Sequence, residues 1–170
     1  MKILIQKLKQ FIRVVLGSEI YESVDVVCES EKYGSDYGGW AIIPTLIDER
    51  SIVYSFGVGE DISFDVDLIN QFGLTVHAFD PTPRSISWVK RQNVPNKFTM
   101  HEIGLADFDG EVAFHPPANP KHVSHSILAR SVTECPSITV PVNNLRTIMR
   151  NLGHETINIL KMDIEGAEYS

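Results

Sequence analysis

Four apolar runs in this 170-residue chain end in glycine or a carboxylate, residue types that can hold a polar ligand. Ser51 to Phe56 runs into Gly57-Val58-Gly59, and Leu74 to Phe79 ends at Asp80. Phe98 to Leu105 is followed by Asp107, and Ile157 to Met162 ends at Asp163. A glycine turn lets a ligand approach bare backbone. An acid about 20 residues further on can accept hydrogen bonds from both ribose hydroxyls of a nucleoside. After the last run, Asp163, Glu165 and Glu168 surround Gly166, so the closing residues 160–170 concentrate carboxylates at a strand end.

Charge narrows the ligand. A dinucleotide site would continue as G-x-G-x-x-G and receive pyrophosphate at the following helix N-terminus. The third glycine position is Ile62, and Glu60, Asp61 and Asp65 crowd that helix start. Acids there favour the helix dipole but repel phosphate, by on the order of 1 kcal/mol per close contact in water. A cofactor with a ribose, no phosphate and positive groups fits better, and S-adenosylmethionine has that chemistry. The competing reading is that these acids only cap a helix.

The positioning elements follow from periodicity. Strands are expected at 51–56, 74–79, 98–105 and 157–162, with further extended pieces at Glu111 to His115 and Ile138 to Val142. Phe64, Leu68, Ile69 and Phe72 share a helical face that stops at Gly73. Ile86 and Val89 mark a helix over 85–91, and Leu145, Ile148, Met149 and Leu152 another before Gly153. Alternating strands and helices predict an α/β fold, a mostly parallel sheet with helices on both faces. Right-handed crossovers then bring the strand ends to one rim. Tyr33-Gly34-Ser35-Asp36-Tyr37-Gly38-Gly39-Trp40 reads as a connecting loop, with a lid as the functional alternative. At the N-terminus, Leu4, Leu8, Phe11, Ile12 and Val15 oppose Lys2, Gln6, Lys9 and Arg13 on a helix. Such a helix packs on a domain or partner, or touches an anionic membrane surface through residues 2–16. The expected division is 1–32 for this helix and its connector and 33–170 for the main domain.

Composition sets outer limits. The net charge of −7 argues against nucleic-acid binding, which needs a positive surface. There is no run of about 18 uncharged apolar residues for a membrane span, and basic residues interrupt the first apolar run as no secretory leader would allow. A cytoplasmic location is the expectation. Cys28 and Cys135 match no metal or redox spacing and read as ordinary thiols.

Taken together, Ser55-Phe56-Gly57-Val58-Gly59-Glu60-Asp61, Ala78-Phe79-Asp80-Pro81-Thr82-Pro83, Gly104-Leu105-Ala106-Asp107 and Leu160-Lys161-Met162-Asp163-Ile164-Glu165-Gly166-Ala167-Glu168 resemble the successive motifs of the FkbM-type S-adenosylmethionine-dependent methyltransferases. The likeness spans residues 33–168, and K-x-D-x-E-G-x-E is its most specific part. It implies a Rossmann-like methyltransferase fold of seven strands, of which on the order of 60 residues would follow Ser170 at roughly 30 per β-α-β unit. It also implies O-methyl transfer to a small molecule or glycan. Phe56, Gly57 and Gly59 would line the methionine part of the cofactor, Glu60 would face its ammonium, and Asp80 would hold the ribose. Leu105, Ala106 and Asp107 would border the adenine, with Asp163 and Glu165 near the reacting centre. Two positions depart from the pattern: Ser55-Phe56 replaces an Asp-Val or Asp-Ile pair, and Asn144 stands where an acid is frequent.

Methyl transfer from a sulfonium needs alignment, and a hydroxyl acceptor must lose a proton. The candidate bases are Asp163, Glu165, His115, His122 and His125. Asp163 and Glu165 also have the oxygen chemistry to hold Mg²⁺, although Glu165 and Glu168 can equally begin a helix. The non-enzymatic alternative is a Rossmann-like module that binds a nucleoside or a protein partner.

Overall fold

The computed structural model describes residues 9, 11–18, 20, 25–114 and 137–164. Two short strands come first, β1 (Glu31–Tyr33) and β2 (Trp40–Ile42), paired antiparallel with Tyr33 opposite Trp40. The glycine-rich stretch expected as a connecting loop is therefore the turn of a hairpin. β3 (Ile52–Phe56), α1 (Ser63–Phe72), β4 (Thr75–Phe79), α2 (Pro83–Val89) and β5 (Phe98–His101) follow in strict alternation. β6 (Gly104–Leu105), β7 (Gly110–Phe114), β8 (Ile138–Asn143), α3 (Leu145–Leu152) and β9 (Ile159–Met162) complete the described chain.

The central sheet has the order β5-β4-β3-β9, all parallel. Alternation along each strand divides its residues between two cores. Val53, Val76 and Ala78 pack with Phe64, Leu68 and Ile69 of α1 and Val89 of α2. Tyr54, Phe56 and Phe79 face the other way, onto Ile148 of α3. With helices on both faces the sheet is Rossmann-like, as its sequence rhythm predicted. The ends of α1 and α3 also fall as expected, with Gly73 (φ 66°) and Gly153 (φ 71°) left-handed at their C-termini.

Two boundaries differ. The expected strand 98–105 breaks after His101, where the Asp80 amide takes the His101 carbonyl and ends the parallel ladder. Gly104 and Leu105 then pair in parallel with β8, which is antiparallel to β7, making a separate three-stranded sheet. The crossing is tight: a Cβ on Gly104 would lie 3.1 Å from the Pro81 ring. The helix expected over 85–91 starts earlier, because Pro83 supplies the first-turn geometry and lacks only an N–H the helix cannot use.

Residues 11–15 are helical, and Phe11, Val15 and Leu16 are exposed, so no described part of the domain covers that apolar face. Leu4, Leu8, Lys2 and Gln6 lie outside the described residues. Cys28 is an exposed free thiol, and Cys135 lies outside the described residues. Among the described residues no helix is long and apolar enough to cross a membrane.

Candidate functional site

The carboxyl ends of β3, β4 and β9 open into one cleft of about 760 Å³. Its lining includes Phe56, Gly57, Gly59, Glu60, Asp80, Leu105 and Asp163, so sequence positions spread over more than half the chain meet in one crevice. Ala106 and Asp107 do not border it: Ala106 is buried, its amide held by the Asn143 carbonyl, and Asp107 is exposed. Glu165, Glu168, His115, His122 and His125 lie outside the described residues. No group of three or more His, Cys, Asp or Glu among the described residues is arranged to hold a metal ion.

Gly57 and Gly59 have φ of 78° and 58°, the left-handed region that favours glycine. They differ in what surrounds them. A Cβ on Gly57 would overlap the Asp163 carbonyl, whereas one on Gly59 meets nothing within 4 Å. Gly57 is thus a packing requirement between β3 and β9. Gly59 faces open space, bare backbone of the kind a ligand can approach.

Asp80 organises this turn. One carboxylate oxygen accepts the amides of Val58 (3.1 Å) and Gly59 (3.0 Å), and the other accepts the amide (2.9 Å) and hydroxyl (2.6 Å) of Thr82. The Thr82 hydroxyl is in turn hydrogen-bonded to that of Ser85 (2.9 Å). A carboxylate offers about four acceptor positions, and all four are engaged here. Successive amides such as those of Val58 and Gly59 commonly cradle phosphate. The protein's own carboxylate fills that cradle, a physical reason against a dinucleotide that goes beyond the missing third glycine.

The acids at the start of α1 have separate partners. Glu60 meets the Arg84 guanidinium through two hydrogen bonds of 2.9 and 3.0 Å, which hold its carboxyl below the usual range. Asp61 accepts the Ser63 amide (2.8 Å) and the Ser35 hydroxyl (2.6 Å). Burial pushes Asp61 up, but those bonds and the nearby Lys161 charge outweigh it and leave its pKa lowered. Asp61 thus bonds to the first residue of α1 and ties down the hairpin, while the N-cap position itself is Ile62 and has no side-chain cap. Gly34 and Ser35 donate their amides to Asp67 (2.7 Å) and the Ser63 hydroxyl (2.7 Å). Thus anchored, the hairpin places Tyr37 and Trp40 along the cleft, both exposed.

Both departures from the motif pattern have local explanations. Phe56 stacks on Phe79 at 4.4 Å and 16°, and Phe79 on His101 at 4.6 Å, building an aromatic floor a valine could not make. Asn144 caps α3 by accepting the Thr147 amide (2.9 Å). The acid comes instead from Asp109, which accepts the Asn144 amide (2.8 Å) and the Thr147 hydroxyl (2.8 Å).

Sequence reasoning missed Lys161. It lies on the α1 side of β9, directly paired with Ser55, and is 7% exposed. Its ammonium donates to the Gly57 carbonyl at 2.9 Å. A lysine between Leu160 and Met162 in an apolar strand was the available signal, since buried lysines are rare unless paired. A second cluster also escaped notice: His77 and His101 ring nitrogens lie 3.0 Å apart, and Tyr54 meets His154 at 2.7 Å beneath the sheet.

A parallel α/β sheet with a glycine turn, a buried strand-end acid and a cleft at its carboxyl rim defines a Rossmann-like domain. The family model described as "Methyltransferase FkbM domain" matches residues 51–170, and the chain belongs to that methyltransferase family. No curated protein and no solved structure matched the chain.

Proposed function

We propose that the chain uses S-adenosylmethionine to methylate a hydroxyl of a neutral small molecule or glycan. The observation that carries this reading is Asp80 in the amide cradle of Val58 and Gly59, which closes the turn to phosphate. Asp61 and Asp163 add negative charge to the same cleft, where Glu60 is paired with Arg84 and the ammonium of Lys161 is held by the Gly57 carbonyl. Such a lining suits a cationic cofactor and repels an anionic acceptor. When bound, S-adenosylmethionine supplies an electrophilic methyl group on a sulfonium.

The residues present fit that group. Gly59 offers open backbone, and Phe56, Phe79 and Leu105 offer apolar surface. Asp80 borders the cleft, and to accept the ribose hydroxyls its carboxylate must give up part of its bonding to Val58, Gly59 and Thr82. Asp163, exposed at the end of β9, is positioned to take a hydroxyl proton onto its carboxylate. Tyr37 and Trp40 supply flat apolar faces for the acceptor.

Calorimetric titration of the chain with S-adenosylhomocysteine tests the reading. Saturable heat supports it, and absence of heat at millimolar ligand removes it for this chain. Binding without methyl transfer to any hydroxyl acceptor would favour the non-catalytic, nucleoside-binding alternative.

A further inference from the structure

Lys161 and Asp65 form a buried charge system under the glycine turn. Asp65, on the first turn of α1, is 1% exposed, and one of its oxygens meets no hydrogen-bond partner among the described residues. The hydroxyl of Ser55, the residue paired with Lys161 across β3 and β9, also falls outside strict hydrogen-bond geometry, yet lies close enough to Asp65 to oppose the effect of burial on its carboxyl. Burial pushes the Asp65 carboxyl up, and the Lys161 charge opposes that push. No direct ion pair joins the two; Lys161 extends instead to the Gly57 carbonyl, with Asp65 as a charge behind it.

Nothing in the packing of β9 requires a cation here, and an apolar residue would cover the α1 core at less desolvation cost. What the ammonium provides is a donor for one particular carbonyl. The turn's other backbone groups are already held: the Gly57 amide by the Phe79 carbonyl, and the Val58 and Gly59 amides by Asp80. Lys161 completes the set from the opposite side.

We propose that Lys161 is a positioning residue for the cofactor-facing turn, its ammonium fixing the Gly57 carbonyl while the buried Asp65 carboxylate balances its charge. The link from the turn to the cofactor rests on the function proposed above; the hold on the turn itself does not.

The test uses the full chain with Lys161→Met, Asp65→Asn and the double variant. Lys161→Met leaves the buried Asp65 carboxylate without its balancing charge and lowers the thermal midpoint, whereas Asp65→Asn relieves the burial of that carboxylate and changes the midpoint little. The double variant buries no charge and recovers most of that loss. If Lys161 positions the turn, the double variant still exchanges its Val58 and Gly59 amide hydrogens at least tenfold faster than the unaltered chain. Amides of Val53 to Phe56 stay unchanged, and affinity for S-adenosylhomocysteine stays at least tenfold weaker. Wild-type exchange at Val58 and Gly59 in the double variant would overturn the proposal and leave Lys161 only a buried charge. Faster exchange with no heat from S-adenosylhomocysteine in the unaltered chain would keep the proposal and remove the cofactor reading.

Discussion

Replacing Gly57 and Gly59 in turn by alanine separates two reasons for a glycine that a motif cannot distinguish. Both have positive φ, so each substitution carries about 1 kcal/mol for placing a Cβ in the left-handed region. At Gly59 the cost stops there, because nothing lies within 4 Å of the added atom. At Gly57 the new Cβ would lie 2.7 Å from the Asp163 carbonyl carbon, and closer still to its oxygen. The end of β9 must retreat, stretching the 3.1 Å bond from the Asp163 amide to the Phe56 carbonyl. Losing that bond costs about 1 kcal/mol, and forcing the strand outward about 1–3 kcal/mol more. Gly57→Ala is therefore expected to destabilise by about 3–5 kcal/mol and Gly59→Ala by about 1 kcal/mol. Urea unfolding of the two variants, compared by midpoint at unchanged slope, measures the difference. Equal losses would refute the account of β3 and β9 as locked together at this glycine.

Asp80→Ala removes four accepted hydrogen bonds and leaves the amide of Val58 buried without its acceptor. A loss of about 3 kcal/mol in urea unfolding is expected, together with loss of S-adenosylhomocysteine binding; undiminished affinity would remove the ribose role. Acid stability should show two opposed contributions. His77 is pushed down to about 4 by burial, with the neighbouring His101 and His154 adding to it, so its neutral form is favoured on folding. From pH 6.5 to 4 the unfolded chain takes up that proton first, and stability falls by about 2 kcal/mol after allowance for partial exposure. Asp65 is pushed up to about 6 by burial, so over pH 6 to 4 the folded chain takes up its proton first and stability rises by about 2–3 kcal/mol. His101 and the carboxylates of Glu60, Asp61 and Asp109 add a loss common to all forms, so against the unaltered chain from pH 6 to 4 His77→Gln should lose less stability and Asp65→Asn more. Parallel pH profiles for the three proteins would show that neither group titrates as described.

Much of the fold was legible because its signals are local. Apolar runs separated by amphipathic helices with glycine stops need no long-range information, and the strand-end rule carried Gly57, Asp80 and Asp163 into one cleft. What escaped depended on partners distant in the chain. Lys161 has meaning only once Ser55 and Gly57 are beside it, and the hairpin only once Asp61, Ser63 and Asp67 are seen to receive it. Asp107 was placed by the same strand-end rule and Ala106 by the family resemblance, but β6 pairs in a separate sheet there and neither residue lines the cleft. Asp109 was passed over because its three donor residues, Asn143, Asn144 and Thr147, lie more than thirty residues away in the chain.

The hairpin carries a consequence for how this scaffold can diversify. It lies ahead of residues 51–170, the span that the family model matches, although its Tyr33-to-Trp40 sequence falls within the wider resemblance over residues 33–168. Its polar attachments run to three side chains, Asp61, Ser63 and Asp67, all within one segment at the start of α1. Tyr33 and Ile42 also pack against the α1-side core, the Tyr33 ring 5.5 Å from that of Phe72. An element whose polar attachments all run to that one segment can be exchanged without disturbing the sheet, provided the receiving residues and these two apolar contacts travel with it. Tyr37 and Trp40 can thus be altered together in this chain as a replaceable cassette while the glycine turn and Asp80 are left intact.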